Sequence, residues 1–161
     1  MKKATTAFLS TMIGATSGAV SVFTSMNRKM NKWKTLNRKN DAILKVYSQW
    51  LSLKQQGKSL ADYFRENGYQ KIAIYGMHYL GESLYSELKN TDIEVIYAID
   101  QKADSIHGNL DIYTPGEKLA ILEEVDVVVV TAFYFYDDIE DLLIQYLDCP
   151  IVSIKDVIAE L

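Results

Sequence analysis

Cysteine and proline are scarce in this chain of 161 residues, which has one cysteine and two prolines. The single thiol, Cys149, excludes an intramolecular disulfide and a paired-cysteine metal motif, and indicates a reducing compartment. The sequence also lacks a Walker loop, a serine nucleophile elbow and a histidine–glutamate zinc helix. We therefore predict no metal site, and the sequence assigns no catalytic residue.

Acidic residues are absent from the first 40 positions, although the chain as a whole has a net charge of -4. Eight basic residues lie in that stretch, six of them within residues 28–39. A basic N-terminal part joined to an acidic remainder predicts a polyanionic partner for the basic part only. We expect anionic membrane lipid to be that partner, and we expect no nucleic acid.

A long uncharged run separates Lys3 from Arg28. As a helix it would measure about 36 Å, enough to cross a hydrocarbon core of roughly 30 Å, although nine serine and threonine residues dilute its apolar side chains. More basic residues follow the run than precede it, so the positive-inside rule places the C-terminal domain in the cytoplasm. We predict a single-pass membrane anchor over residues 1–27, with a cleaved signal peptide as the alternative.

Residues 28–69 are predicted to form a basic, amphipathic helical linker. Apolar side chains recur at helical spacing from Trp33 to Leu53. This stripe fits a short parallel coiled coil with Asn40 in a core position, which would make the chain a homo-oligomer through helix 33–53. Packing of the stripe onto the domain that follows is the second interpretation, and the sequence leaves both open.

A second, shorter helix is predicted before the folded domain. Ser59 and Asp62 have the spacing of a capping box, in which each side chain binds a backbone N–H at the start of a helix. The helix is expected to run from Leu60 to Glu66 and to end at the Asn67-Gly68 pair.

Residues 70–161 alternate strand-like and helix-like patterns. The strand-like runs are Lys71–Tyr75, Ile93–Ile99, Leu110–Tyr113, Asp126–Thr131 and Ile151–Ile154. The helical patterns are Tyr79–Leu88, a short one from Pro115 capped by Thr114 and Glu117, Asp137–Leu147, and one from Lys155 capped by Ser153 and Asp156. Strict alternation predicts an α/β fold, a small doubly wound parallel sheet of five strands in the order 3-2-1-4-5, preceded by N-terminal helices.

A ligand of such a sheet binds beyond the carboxyl ends of the strands, where the strand order reverses. The turn after the first strand offers backbone N–H groups to an anion, Asp100 suits a ribose hydroxyl, and the aromatic loop after the fourth strand suits a base or sugar. The candidate cofactor-binding residues are Gly76, Met77, His78, Tyr79, Gly81, Asp100, Thr131, Ala132 and Phe133.

Three short motifs resemble those of one protein family. They are Ile72-Ala73-Ile74-Tyr75-Gly76 with Gly81, then Ala98-Ile99-Asp100 followed by Asp104 and Gly108, and Thr114-Pro115-Gly116-Glu117. In these motifs residues 70–161 resemble the Rossmann-like N-terminal domains of bacterial sugar O-acyltransferases and related stand-alone domains of surface-polysaccharide synthesis. The resemblance implies binding of a nucleotide or nucleotide sugar. The repeat-built catalytic half of those acyltransferases is missing here, so acyl transfer is not implied.

His78 departs from the dinucleotide-binding fingerprint, which has glycine at this middle position so that the backbone can approach a pyrophosphate. NAD is therefore not expected in its usual pose. His78 is either a phosphate contact or an acid–base group, or a solvent-facing loop residue with no chemical role, and we favour the last.

These observations predict a membrane-attached accessory module that binds a nucleotide or nucleotide sugar, in the setting of surface-polysaccharide biosynthesis. The missing catalytic motifs favour a protein that is not an enzyme. Two alternatives stay open: a small reductase or epimerase that uses NAD(P), and a membrane-tethered scaffold that binds no ligand. The fold does not decide among the three.

Overall fold

The chain divides by its internal contacts into two units, Met1–Lys45 and Val46–Leu161. This computed structural model describes residues 2–101 and 110–161, and the side chains of all of these except residues 2–21 and 117. Its first helix, α1, runs from Lys2 to Gln55 and makes up the described part of the first unit. The last turns of α1 belong to the second unit.

Membrane spanning was predicted for residues 1–27, and the side chains of the first 21 of these lie outside those that the structure describes. Among the residues that it does describe, no helix combines the length and the hydropathy needed to cross a membrane.

The last turns of α1 contribute three side chains to the core of the second unit. Val46, Trp50 and Leu53 are buried there, at spacings that place them on one face of the helix. The predicted stripe is therefore divided, because Trp33 and Leu36 at its other end are exposed. Packing onto the domain is confirmed for Tyr47, Trp50 and Leu53, whereas Leu44 and Leu51 of the same stripe are exposed.

Tyr47 and Trp50, which the coiled-coil interpretation places in its core, make contacts within the chain. Tyr47 Oη lies 3.0 Å from Ser83 Oγ, and Trp50 Nε1 donates a hydrogen bond of 2.7 Å to Glu87. Association of two copies through the rest of helix 33–53 stays a prediction.

Local capping chemistry sets the bounds of α2 (Leu60–Glu66), as predicted. The capping box is present: the Ser59 side chain accepts from the first turn, and the Asp62 carboxylate accepts from Ser59 N at 2.8 Å. After Asn67 the chain leaves the helix at Gly68, whose φ of +74° favours glycine. Phe64 anchors the helix, because its side chain is fully buried.

The sheet is parallel throughout and has the predicted order, β3-β2-β1-β4-β5. Its strands are β1 (Lys71–Tyr75), β2 (Glu94–Ile99), β3 (Ile112–Tyr113), β4 (Val127–Val130) and β5 (Ile151–Ser153). β3 is shorter than predicted: it lies at the edge, where it pairs on one side with Ala98 and Ile99.

Helices cover both faces of the sheet. They are α3 (Tyr79–Leu88), α4 (Tyr136–Leu143) and α5 (Ile154–Ala159), with short 3-10 helices at Glu117–Ile121 and Phe133–Phe135. β4 shows how the two faces separate, since Val127 and Val129 belong to one core and Val128 and Val130 to the other. All four valines are fully buried, as an unbroken apolar strand between two layers requires.

Two helix predictions need correction. The helix expected from Pro115 is a 3-10 helix with no side-chain capping bond at its start, so Thr114 does not cap it. The side chain of Glu117, the other predicted cap, lies outside those described. The 3-10 helix follows Gly116, whose φ of +151° is not helical, and so begins at Glu117, two residues later than predicted. α4 ends at Leu143 rather than at residue 147. The Tyr146 N–H donates a hydrogen bond to the Leu143 carbonyl three residues back, which is the spacing of a tighter 3-10 turn rather than of an α-helix.

Glu87, on α3, joins that helix to α1 and to the start of α2. Its carboxylate accepts hydrogen bonds from Trp50 Nε1 (2.7 Å), Ser59 Oγ (2.9 Å) and Leu60 N (2.8 Å), and pairs with Lys54 Nζ at 3.0 Å. Burial alone would raise the pKa of Glu87, but these four partners outweigh it and hold the pKa below its usual range.

Candidate functional site

The chain turns sharply at Gly76, directly after β1. Its φ of +93° favours glycine, and a Cβ placed here would lie 2.9 Å from Thr131 Oγ1. The Gly76 N–H donates to the carbonyl of Ile99, the last residue of β2, at 2.8 Å. Backbone conformation and space both require glycine here.

A second close approach occurs at Gly81, in the first turn of α3. A Cβ added there would lie 2.1 Å from the Gly76 carbonyl oxygen, far inside van der Waals contact. The backbone of α3 at Gly81 therefore packs directly against the backbone of the turn at Gly76. The third glycine of a dinucleotide fingerprint has the same role of permitting close helix packing.

Asp100 follows β2 and reaches the same turn. Its Oδ2 accepts a hydrogen bond of 2.9 Å from Met77 N, and its own N–H donates to the Tyr113 carbonyl of β3. The carboxylate therefore lies beside the N-terminus of α3, where the helix dipole stabilises negative charge. Asp100, which was predicted to accept a ribose hydroxyl, therefore also holds the turn in place. Its position in the sequence did not indicate this second role.

Thr131 brings the end of β4 to the same turn. It is buried, and its hydroxyl donates to the Gly76 carbonyl at 2.5 Å and lies 3.1 Å from the Tyr75 carbonyl. Its N–H also donates to Tyr75 at 2.9 Å. The structure thus brings together three of the predicted segments, at the carboxyl ends of β1, β2 and β4.

We expect Thr131→Val to lower the free energy of unfolding by about 1 to 2 kcal/mol, because the substitution keeps the shape of the side chain but removes the hydroxyl donor from a buried carbonyl. Urea denaturation measures the loss. Thr114→Val, at an exposed position, is the matched control and should change stability by less than about 0.5 kcal/mol. Equal losses in the two variants would show that the hydroxyl of Thr131 does not stabilise the turn.

The remaining residues of the turn differ in exposure. Met77 is buried in the core, whereas His78 and Tyr79 are exposed and meet edge to face with ring centroids 4.1 Å apart. His78 precedes α3 and makes no side-chain capping bond. This position agrees with a solvent-facing histidine at the entrance to the site.

The aromatic loop after β4 presents different side chains from those expected. Ala132 and Phe133 are half-buried, each against one of the two cores. Tyr134 stacks on Phe133 at a centroid distance of 4.5 Å and is more exposed, as is Phe135, half of whose surface is accessible. Tyr134 and Phe135 are therefore more exposed than Phe133.

Two residues behind the family resemblance, Asp104 and Gly108, lie outside the described residues. Within the described part of the chain, no group of three histidine, cysteine, aspartate or glutamate side chains is placed to hold a metal ion.

Comparison with known proteins adds no relative to this picture. A scan against models of protein families finds no match, and searches of curated proteins and of solved structures find none either. The topology therefore establishes a Rossmann-like α/β fold, and the resemblance to acyltransferase domains stays a prediction.

Proposed function

We propose that this chain is a membrane-attached accessory module whose Val46–Leu161 unit binds a nucleotide or nucleotide sugar on the cytoplasmic side. One observation supports this most strongly. The Gly76 turn, Asp100 and Thr131 are joined by hydrogen bonds at the point where the strand order reverses, which is where ligands of open α/β sheets bind. Surface-polysaccharide synthesis is the setting that we propose, from the family resemblance.

Each part of such a ligand has a partner of suitable chemistry. The first N–H groups of α3 have no acceptor within the helix, so Tyr79 and Gly81 can offer theirs to a phosphate. Asp100 is the acceptor for a ribose hydroxyl. The exposed rings of Tyr134 and Phe135 offer flat apolar surface to a base or a sugar.

A small NAD(P)-dependent reductase or epimerase is the second candidate. Gly76 and Gly81 favour it, because they occupy two of the three glycine positions of the dinucleotide fingerprint and the structure packs both closely. His78, at the middle position, opposes the close approach of a pyrophosphate. The nucleotide or nucleotide-sugar proposal is therefore preferred.

Thermal unfolding of the purified full chain tests the proposal against UDP-glucose, CDP-glucose, NAD, NADP and coenzyme A. A ligand at a hundred times its dissociation constant stabilises the folded state by about 2.7 kcal/mol. For a domain of this size we expect a rise in melting temperature of about 5 to 10 °C with a sugar nucleotide.

Two aspartates provide the matched variants. Asp100→Asn should abolish the shift, because its carboxylate lies on the turn. Asp126→Asn should retain it, since Asp126 lies at the opposite, amino-terminal end of the strands. There it accepts hydrogen bonds from Gln70 N and Lys71 N, both of 2.7 Å. A shift with NAD or NADP alone would favour the reductase. No shift with any compound would contradict ligand binding and leave the membrane-tethered scaffold.

A further inference from the structure

The part of α1 between Val22 and Leu36 has two sharply different faces. At about 100° per residue, its six large apolar side chains fall within an arc of about 140°. They are Val22, Phe23, Met26, Met30, Trp33 and Leu36, and each is at least 47% exposed. We call this arc the apolar stripe.

The rest of the segment is polar. All eight residues outside the arc are serine, threonine, asparagine, lysine or arginine, and Lys29 is the one charged residue inside it, near an edge. Beyond Leu36 the same arc is interrupted by Asn37 and Asn40, before the exposed Leu44. Six cations lie within residues 28–39 and no acid precedes Asp41.

We infer that the segment 22–36 lies in the plane of an anionic membrane, with the apolar stripe at the boundary of the acyl chains and the flanking lysines and arginines on lipid phosphates. This rests on the membrane attachment in the proposed function and specifies how it is made. An amphipathic helix with aromatic side chains on one face and basic side chains on the other is the form that binds a membrane interface.

Charge selects this partner. A protein surface that covered the stripe would also have to neutralise a row of cations. An anionic bilayer supplies acyl chains for the apolar side chains and, directly beside them, anionic headgroups for the cations. Nucleic acid would satisfy the cations but leave exposed apolar side chains such as Phe23 and Trp33 in water.

Tryptophan fluorescence tests the inference on the full chain, because the two tryptophans differ in position. Trp33 is 65% exposed and Trp50 is 5% exposed with its indole bonded to Glu87. The chain is mixed with phosphatidylcholine vesicles, with and without phosphatidylglycerol, that carry brominated acyl chains. We expect bromine to quench Trp33 emission strongly in the anionic vesicles only, and Trp33→Phe to remove the quenched component.

Charge variants provide the second readout. Lys32→Gln combined with Lys34→Gln should weaken association with the anionic vesicles about 30-fold, as expected for the loss of two cations at a membrane surface. Lys118→Gln combined with Lys155→Gln, at two exposed positions of the other unit, should leave it unchanged.

Three results would overturn the inference: association without quenching of Trp33, equal quenching on phosphatidylcholine alone, or no effect of the first charge pair. Tighter binding of an oligonucleotide than of anionic vesicles would assign the basic face to nucleic acid and would overturn it too. The nucleotide panel is measured without vesicles, so failure here leaves the result at the Gly76 turn standing.

Discussion

Gly81→Ala is expected to lower the free energy of unfolding by about 3 kcal/mol, the upper end of the usual cost of overpacking. The added Cβ would lie 2.1 Å from the Gly76 carbonyl oxygen and 3.1 Å from its carbon, and both are backbone atoms that no side-chain rotation moves away. α3 must therefore move off the turn. Urea denaturation of the full chain measures the loss.

Gly57→Ala is the matched control, because Gly57 has a φ of +80° and nothing within 4 Å of its added Cβ. Its cost is backbone strain alone, about 1 kcal/mol. Movement of α3 off the turn also displaces the helix N-terminus proposed to bind phosphate, so Gly81→Ala should lose the nucleotide-dependent rise in melting temperature whereas Gly57→Ala should keep it. Similar losses of stability in the two variants would show that the contact at Gly81 relaxes without cost.

Glu87→Ala is expected to lower the free energy of unfolding by about 3 kcal/mol as well, for a different reason. The substitution removes one charged acceptor from four donors on two neighbouring elements and leaves Trp50 Nε1 and Leu60 N without it. Glu66→Gln, at an exposed position, is the control and should change stability by less than about 0.5 kcal/mol. A small loss at Glu87 would show that water replaces the carboxylate.

The contribution of Glu87 should also depend on pH in one direction. Its pKa is lower in the folded state than its ordinary value of 4.5, so the unfolded chain binds the proton more readily. The stabilisation is complete above pH 4.5 and is lost as the pH falls through the folded pKa. The difference in stability between the natural chain and Glu87→Gln should therefore shrink below about pH 4.5; a constant difference would contradict an ionic contribution.

Local patterns predicted the bounds of three elements exactly: α2, β1 and α3. α2 is set by its own capping box, and β1 is an apolar run that ends at Gly76. Alternation of strands and helices also predicted the strand order, because parallel strands joined by right-handed crossovers have few arrangements. Chemistry within a few residues of the chain was enough for these features.

Features that depend on distant contacts were not predicted. Trp33 and Trp50 lie on one periodic stripe, yet only Trp50 is buried, and the helical spacing that places both on the stripe does not distinguish them. The same holds for Asp100, whose bond to Met77 crosses from β2 to β1. The 3-10 helix Phe133–Phe135, within which Tyr134 and Phe135 are exposed, was also not predicted.

The hydrogen bonds from Asp100 and Thr131 to the Gly76 turn have a consequence for the rate of binding. They hold the backbone at the ends of β1, β2 and β4 in one arrangement before any ligand arrives. A ligand entering there loses its own freedom of motion but orders little of the protein, so the entropic cost of association is small. Encounter by diffusion, rather than closure of a loop, should set its association rate.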